Sequence, residues 1–224
     1  MSTRTEPSRQ DQSVADQYDT WAQVYDWLWA RYMNQTLPVA QRMAAVAPGE
    51  RVLDLACGTG ELLRGIAQDT PGAELIGIDL APKMVRRARS KLSGVPKAQV
   101  RRADAHALPF EDNSFDTIVC ASTFHYFTDP EAVLAEAHRV LGPDGKLVLL
   151  DWCRDSWTCR VMDRVLRVAD PAHTYCYTLD ELTECVDVSK QRVSDLVTDL
   201  DEAEEDWINK TEGSMTIVWN TQTY

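Results

Sequence analysis

A glycine loop that directly follows an apolar run is the feature of this sequence that most constrains its fold. The run ends at Asp54, and the loop reads Asp54-Leu-Ala-Cys-Gly-Thr-Gly60. A buried parallel strand that ends in Gly-x-Gly and turns into a helix lets the polar groups of a ligand approach bare backbone near the helix N-terminus. A second apolar run, Leu75-Ile-Gly-Ile-Asp79, ends in another acid, where such folds hold the ribose hydroxyls of a nucleoside. The two segments together predict a site for an adenosine-containing cofactor.

The residue at position 63 distinguishes between cofactors. A dinucleotide-binding loop has the pattern G-x-G-x-x-G, and its third glycine lets the helix pack close enough to the strand for a pyrophosphate to sit at the helix N-terminus. Leu63 occupies that position here. A loop without the third glycine suits a ligand that has a nucleoside but no phosphate, and S-adenosylmethionine is such a ligand.

Apolar runs alternate with amphipathic segments along most of the chain. The patterns predict helices at residues 11–33 and 36–47, and then strands that end near residues 54, 79, 103, 121 and 150, with helices between them. A further helix is predicted at 157–168, another begins at a Thr178-x-x-Glu181 capping box, and weak strands are predicted at 192–197 and 215–219. Strands that alternate with helices of this length indicate a doubly wound α/β fold with a parallel sheet.

The charge balance of the chain bears on its partners. The chain has 224 residues, enough for one full core, and we expect a single domain. Its 35 acidic residues exceed its 23 basic ones, which gives a net charge of -12. Such a surface repels phosphate backbones, so the chain alone is not expected to bind nucleic acid. Because the chain lacks both an apolar signal segment at its start and a run of about 18 apolar residues, we expect a cytoplasmic protein without a membrane span.

Six cysteines are present, and their spacing does not match a zinc site or a Cys-x-x-Cys pair. Reduced, structural cysteines in a cytosolic protein are therefore the expected state, and no metal is predicted. An alternative is a thiolate site for a soft element, built from Cys153, Cys159, Cys176 and Cys185 with His173 nearby.

Several segments, taken together, resemble the successive motifs of one enzyme family. They are Asp54-Leu-Ala-Cys-Gly-Thr-Gly60, Gly77-Ile-Asp-Leu80, Ala103-Asp-Ala-His-Ala-Leu-Pro-Phe110 with Phe115-Asp116, and Arg139-Val-Leu-Gly-Pro-Asp-Gly-Lys146. In order and spacing they are similar to class I S-adenosylmethionine-dependent methyltransferases, above all to the UbiE-like branch, also called methyltransferase type 11. The resemblance covers roughly residues 15 to 152.

The resemblance implies a Rossmann-like, seven-stranded, mostly parallel sheet with an antiparallel C-terminal hairpin. Within one methyltransferase domain, 1–224, we expect a disordered start at 1–10, an N-terminal helical cap at 11–47 and a cofactor-binding core at 50–152. Residues 153–224 would then supply the substrate-side helices and the C-terminal strands.

The resemblance also implies which residues contact the cofactor, since open parallel sheets bind ligands at the carboxyl ends of their strands. The expected cofactor-binding residues are Tyr18 and Tyr25 at the methionine carboxylate, Asp54, Ala56, Gly58 and Gly60 along the methionine portion, Asp79 at the ribose, Leu80 and Met84 at the adenine face, Asp104 and Ala105 at the exocyclic amine, and Ser122 beneath the sulfonium. Asp79 and Asp104 have a second interpretation, as caps of the turn or helix that follows each of them.

His125 follows the fourth predicted strand and is the candidate catalytic residue. The sulfonium methyl of the donor is already activated, so its transfer needs mainly positioning and exclusion of water. A base is needed only if the acceptor must lose a proton, and His125 is placed for that task; its alternative is a histidine packed against the next helix. Trp152, Arg154, Trp157 and Tyr175 are candidates for lining the acceptor site, whereas His106 and His138 are expected to have no catalytic role.

Three functions are compatible with these features. The first is S-adenosylmethionine-dependent methyl transfer to the carbon, oxygen or nitrogen of a small molecule. The second is the catalytic subunit of a methyltransferase for RNA or protein, held active by a small zinc-binding activator that pairs with the strand at 99–103. The third, a nucleotide-dependent oxidoreductase, is disfavoured by Leu63 and by the lack of a Tyr-x-x-x-Lys pair. The sequence does not identify the acceptor.

Overall fold

A computed structural model describes residues 7–9, 11–13, 15–16, 25–155, 157–169, 176–182, 184–185, 207–211 and 214–220. The helices are α1 (Tyr25–Ala44), α2 (Glu61–Asp69), α3 (Pro82–Lys91), α4 (Pro130–Val140) and α5 (Trp157–Ala169). The strands are β1 (Arg51–Leu55), β2 (Glu74–Asp79), β3 (Ala98–Arg102), β4 (Phe115–Ala121), β5 (Leu141–Trp152), β6 (Trp207–Thr211) and β7 (Ser214–Asn220). A single 3₁₀ turn, Phe124–Tyr126, follows β4. None of the helices within these ranges is long and apolar enough to cross a bilayer.

The strands form one sheet in the order β3-β2-β1-β4-β5-β7-β6. The first five in this order pair in parallel, which confirms the predicted parallel α/β sheet. β7 runs antiparallel to β5, with Leu147 opposite Trp219, and β6 pairs antiparallel with β7. The chain builds outward from β1 through β2 to β3 and then returns to add β4 on the other side of β1. This reversal opens a crevice at the carboxyl ends of β1 and β4, where ligands bind in sheets of this kind.

Helices cover both faces of the parallel strands, and the residues of each strand alternate between them. In β1, for example, Leu53 and Leu55 lie in the core beneath α4, whereas Val52 lies in the core beneath α1, α2 and α3. Because both faces are buried, the central strands β1, β2 and β4 are largely apolar runs, which is why the sequence predicts them well. Each fully buried leucine or isoleucine contributes about 1.5–3 kcal/mol to the free energy of folding.

The predicted break between two N-terminal helices is wrong. Helix α1 runs without interruption from Tyr25 to Ala44 and includes Pro38, which was expected near the start of a new helix. Thr36 does not cap a helix, because its hydroxyl donates to the carbonyl oxygen of Tyr32 one turn earlier, at 2.9 Å. A proline inside a helix costs about 3 kcal/mol. Burial of Ala40 and Ala44 against the sheet favours the continuous helix despite that cost.

Other boundaries differ in smaller ways. Strand β5 begins at Leu141, and it has a bulge between the pairs Phe115–Leu141 and Thr117–Lys146. The strand predicted at 192–197 lies outside the described residues. Of the segment 1–10, expected to be disordered, residues 1–6 and 10 also lie outside them. The strand that pairs with β7 is β6, at 207–211. The predicted capping box is confirmed, because Thr178 and Glu181 bond each other's backbone N–H groups. Asp129 caps α4 by accepting a hydrogen bond from Ala132 N.

Candidate active site

Backbone strain marks the two central strand ends. Ala56, just after β1, and Ser122, just after β4, both have left-handed backbone conformations, with φ of 55° and 58°. Non-glycine residues rarely adopt this region, and such strain concentrates at functional sites. The two residues flank the crevice where the strand order reverses. The fold therefore places predicted site residues from β1 and β4 at the same edge of the sheet.

Asp54 is the most unusual polar group at this edge. Its side chain is 2% exposed, and its Oδ2 atom is buried without a hydrogen-bond partner among the described residues. Burial, together with the nearby Asp79 carboxylate, raises the pKa of Asp54 well above its ordinary value. A buried, unsatisfied carboxylate oxygen is unfavourable unless a donor or cation reaches it. Asp54 therefore fits a ligand that brings an ammonium group or another strong donor.

The glycines of the loop have different roles. A Cβ atom at Gly58, where φ is 53°, would meet nothing within 4 Å, so the backbone here borders open space that a ligand can enter. At Gly60, where φ is 82°, a Cβ atom would lie 3.1 Å from Ala88 Cβ and 3.3 Å from Leu92 Cδ1. Gly60 is therefore needed for the packing of the loop against α3. Of the two, Gly58 offers its backbone to a ligand.

Leu63 packs where the third glycine of a dinucleotide loop would be. Its side chain is fully buried, and its Cδ1 atom would lie only 2.8 Å from a Cβ atom at Gly77 of β2. Helix α2 thus approaches the sheet through a leucine that occupies the space left by a glycine on the strand. Helix α2 therefore packs against the sheet without a glycine in its first turn. A dinucleotide site needs that glycine for its pyrophosphate.

Asp79 connects the two loops of the candidate cofactor site. Its Oδ2 accepts from Gly58 N and its Oδ1 accepts from Ala81 N, both at 2.8 Å. The capping interpretation of this acid is thus present in the structure. A carboxylate oxygen accepts up to two hydrogen bonds, so these contacts are compatible with bonds to ribose hydroxyls. The ribose role of Asp79 stays a prediction.

The residues predicted for the adenine face form a small apolar cluster. Met84 and Ala81 are buried there, Leu80 packs against them, and Ala15 contributes from the N-terminal segment. Ala15, which precedes α1, therefore packs on this side of the crevice. Ala105, predicted near the exocyclic amine, lies in the core on the α4 side of the sheet.

Asp104 is hydrogen-bonded to His106, and Asp11 lies close to both. Asp104 Oδ1 accepts from His106 N at 3.0 Å and lies 2.7 Å from His106 Nδ1. Asp11 accepts from the hydroxyl of Thr128 at 2.9 Å. The ligand atoms of Asp11, Asp104 and His106 lie within 4.8 Å of one another, and no other group of this kind occurs in the described part of the chain. The group ties the N-terminal segment to the loops after β3 and β4, a contact that no sequence pattern indicated.

His125 forms a buried pair with Asp151, the acid near the end of β5. His125 Nδ1 lies 2.7 Å from Asp151 Oδ1, and His125 N donates to Asp151 Oδ2 at 3.0 Å. The two side chains are 6% and 1% exposed. A carboxylate can only accept, so we assign the proton to Nδ1, which makes Nε2 the basic nitrogen of the ring. Asp151 was not predicted as a site residue, although an acid after an apolar run is the signal that indicated Asp54 and Asp79.

An aromatic side chain of α1 reaches the same edge of the sheet. The Tyr32 hydroxyl lies 2.9 Å from the hydroxyl oxygen of Ser122, and its ring centroid lies 5.2 Å from that of Trp152. Tyr18 lies outside the described residues, and Tyr25 is described only in its backbone. Tyr32 was not predicted as a site residue. Its position seven residues after Tyr25, on the same helix face, was the available signal.

The segment after β5 contains three residues that were predicted to line the acceptor site, Arg154, Trp157 and Tyr175. Arg154 is ion-paired with Glu181 at 2.5 Å, and its backbone N–H donates to Tyr177 O. Trp157 is 74% exposed, so it does not line an enclosed acceptor site, and Tyr175 lies outside the described residues.

The cysteines of the thiolate alternative lie largely inside the protein. Cys153, Cys159 and Cys176 are buried, and burial raises the pKa of Cys176 and of the half-buried Cys185. They do not form a group of three ligands within the described chain. The thiolate site stays a prediction.

Comparison with known proteins agrees with this geometry. Residues 53–149 match the family model described as a methyltransferase domain. The chain is 44% identical over 104 residues to the demethylmenaquinone methyltransferase of Thermus thermophilus, a match that covers 46% of this chain and 47% of that protein. It is 33% identical over 150 residues to the ubiquinone/menaquinone biosynthesis C-methyltransferase UbiE of Geotalea uraniireducens, with 63% of each chain covered. The chain thus spans about half to two thirds of the length of these relatives.

A solved structure is similar over most of the chain. It is a complex between the Haloferax volcanii Trm112 methyltransferase activator and a methyltransferase, with a TM-score of 0.74 at 24% identity, covering 92% of this chain and 97% of that one. At this identity the likeness shows the fold. The family match and the relatives support a class I S-adenosylmethionine-dependent methyltransferase of the UbiE-like branch, the family that the chain's motifs resemble. The resemblance drawn from the sequence motifs is confirmed, and S-adenosylmethionine is the cofactor of this class.

Proposed function

We propose that this protein transfers the methyl group of S-adenosylmethionine to a small-molecule acceptor. The observation that carries the proposal is the buried, unpartnered Oδ2 of Asp54 beside the open backbone of Gly58. The cofactor has a cationic amino group and no phosphate, so it suits a site in which a buried carboxylate oxygen lacks a donor. When bound, it supplies an activated sulfonium methyl group.

The residues of this chain would hold the cofactor at several points. Asp54 would accept from its amino group, and the backbone at Gly58 would border its methionine portion. Asp79, fixed by Gly58 N and Ala81 N, would accept from the ribose hydroxyls. Leu80 and Met84 would contact the adenine face, with Asp104 near the exocyclic amine.

The pair of His125 and Asp151 would act on the acceptor. Asp151 fixes the orientation and tautomer of the ring, and His125 Nε2 would accept the proton that the acceptor loses as the new bond forms. Tyr32, Ser122 and Trp152 lie at the same edge and would help to exclude water. The names of the two relatives favour an acceptor of the aromatic quinone type. The acceptor is accordingly proposed to be a small hydroxylated aromatic molecule.

We also propose how the sheet is completed and how the domain is organised. The sheet would have seven strands, completed by the hairpin of β6 and β7, within one domain made of the cap, core and substrate-side segments defined above. The register of β5 with β7 supports this arrangement, since the pairs run from Lys146–Asn220 to Trp152–Ser214. We propose a cytoplasmic location for the same protein.

A second candidate function rests on the exposed edge of the sheet. Among the described strands, β3 (Ala98–Arg102) pairs only with β2. Its outer edge is therefore available to a strand of another protein. A related fold is found in complex with an activator named Trm112. In this candidate, a small activator would add a strand to β3 and the complex would methylate RNA or protein.

One experiment separates the two candidates. The protein is purified alone and incubated with methyl-labelled S-adenosylmethionine and either reduced hydroxylated aromatic acceptors or total RNA and protein. We expect label in the small-molecule fraction without any partner. Label found only in RNA or protein, and only after an activator is added, would favour the second candidate.

A further inference from the structure

Helix α5 has an apolar stripe on its outer surface. Trp157, Val161 and Val165 follow one another at intervals of four residues and therefore lie on one face of the helix. They are 74%, 55% and 53% exposed. Large apolar side chains that line up in this way on a protein surface mark an interaction site more often than isolated ones do.

Basic side chains accompany this stripe, although the protein as a whole is acidic. Arg160 and Arg164, next to the stripe, are exposed. The acid of this segment, Asp163, is turned inward, where it is buried and accepts from Cys176 N at 2.8 Å. The outer face of α5 therefore combines apolar and positively charged groups, while the chain carries a net charge of -12.

We propose that the face formed by Trp157, Arg160, Val161, Arg164 and Val165, here called the α5 face, docks on an anionic lipid surface. An apolar stripe bordered by arginines, with a tryptophan at one end, is the pattern of a helix that lies in the plane of a membrane interface. The arginines would meet lipid phosphates, and the apolar side chains would enter the boundary between headgroups and acyl chains.

A second copy of the chain fits this face less well. A symmetric dimer through the α5 face would bring the same patch of both copies together, so that Arg160 and Arg164 of one chain would face those of the other. Like charges at such an interface are unfavourable. An anionic membrane complements both the charge and the apolar character of the face.

The position of α5 connects the α5 face with the candidate acceptor site. The helix begins five residues after the end of β5, the strand that carries Asp151. Its inner residue Asp163 holds the backbone of Cys176, whose thiol lies near Asp151. Docking would therefore turn this side of the site toward the lipid, where an apolar acceptor accumulates. This last step rests on the proposed function, whereas the docking itself does not.

Vesicle sedimentation tests the docking without cofactor or acceptor, so its outcome is independent of methyl transfer. The full chain is mixed with vesicles of phosphatidylcholine alone or with phosphatidylglycerol added, at low and high salt. We expect binding only to the anionic vesicles, weakened by salt. Trp157→Ser and Arg164→Ser should each reduce the partition coefficient, the arginine variant by about fivefold. Arg86→Ser is the matched control, because it removes one exposed arginine from α3 and should leave binding unchanged.

The alternative outcomes are distinct. No binding of the folded chain to anionic vesicles overturns the proposal. Equal losses in Arg164→Ser and Arg86→Ser also overturn it, because binding would then reflect charge anywhere on the surface. A dimer in light scattering that Trp157→Ser dissociates, without vesicle binding, would show instead that a second copy covers this face. Circular dichroism of each variant verifies its fold, and the exposure of Trp157 makes its replacement tolerable.

Discussion

The carboxylate of Asp151 holds His125 at two points, because one oxygen lies 2.7 Å from ring Nδ1 and the other accepts the backbone N–H at 3.0 Å. The residues are 26 positions apart and come from the end of β5 and the turn after β4. A ring fixed at both its backbone and its Nδ1 presents Nε2 in one direction. A general base oriented by an acid has this geometry, so in the proposed function Asp151 would be the positioning residue.

The first prediction concerns this pair. His125→Ala should lower kcat by roughly a hundredfold or more, since the base is lost, with little change in the Kd for S-adenosylmethionine. Asp151→Asn should lower kcat as well, because an amide donor facing Nδ1 favours the wrong tautomer. Steady-state kinetics and calorimetric titration measure the two quantities.

A double variant provides the control for this prediction. If the two residues act as one unit, His125→Ala with Asp151→Asn should be no slower than His125→Ala alone. Additive losses would show that Asp151 acts apart from His125. Full activity of a folded His125→Ala protein would exclude His125 as the base. The residues at the strand ends would then only position the cofactor and the acceptor.

The second prediction concerns Asp79. Asp79→Ala should weaken S-adenosylmethionine binding by roughly 2 kcal/mol or more, as expected for lost charge-assisted hydrogen bonds. It should also lower the Tm, because Gly58 N and Ala81 N lose their acceptor. Titration of the folded variant with the cofactor separates the effects. A reduced Tm with an unchanged Kd would assign Asp79 to capping alone.

The third prediction compares two glycines. Gly58→Ala should leave the protein folded, at a cost of about 1–2 kcal/mol for the left-handed backbone, but should greatly weaken cofactor binding, since the new methyl group enters the open space. Gly77→Ala should instead destabilise the fold, because its Cβ would lie 2.8 Å from both Leu63 Cδ1 and Cys57 Sγ. Thermal unfolding with and without cofactor measures both effects. Cofactor-induced stabilisation that persists in Gly58→Ala would contradict the proposed loop contact.

The fourth prediction concerns the stability contribution of Asp54. Burial raises its pKa in the folded state above the ordinary 3.8, so the folded protein holds this proton more tightly than the unfolded chain does. The associated stability is present below pH 3.8 and is lost as the pH rises through the folded pKa. Asp54→Asn should therefore increase the free energy of unfolding near neutral pH by about 1–3 kcal/mol without cofactor.

The same variant should bind S-adenosylmethionine more weakly, because the amide cannot balance the charge of the amino group. Urea unfolding and titration at several pH values measure both changes. A variant that is less stable and binds the cofactor unchanged would show that Asp54 serves the fold.

Local sequence signals were enough to predict the parallel sheet and the loop around Asp54 and Gly58. Both follow from short patterns, namely an apolar strand, a turn and the helix that begins after it. Tertiary contacts were not predictable in the same way. Tyr32 meets Ser122 across 90 positions and Asp11 meets Thr128 across 117, and no local pattern encodes either pair.

The continuous helix through Pro38 is a second case in which tertiary packing was not predictable from local sequence. Its local propensity favours a break, and burial of Ala40 and Ala44 against the sheet overrides it. Pairing of a buried histidine and an acid likewise depends on which strand ends become neighbours. That order, β4 beside β5, follows from the whole topology.

The most direct test of the central claim is methyl transfer by the purified protein alone. Labelled S-adenosylmethionine is incubated with a panel of reduced hydroxylated aromatic acceptors, and label in the organic extract is measured for wild type and His125→Ala. We predict label in at least one small-molecule product with wild type, reduced roughly a hundredfold or more in the variant. Binding of the cofactor with no transfer to any small molecule, and transfer to RNA or protein once an activator is added, would contradict the account.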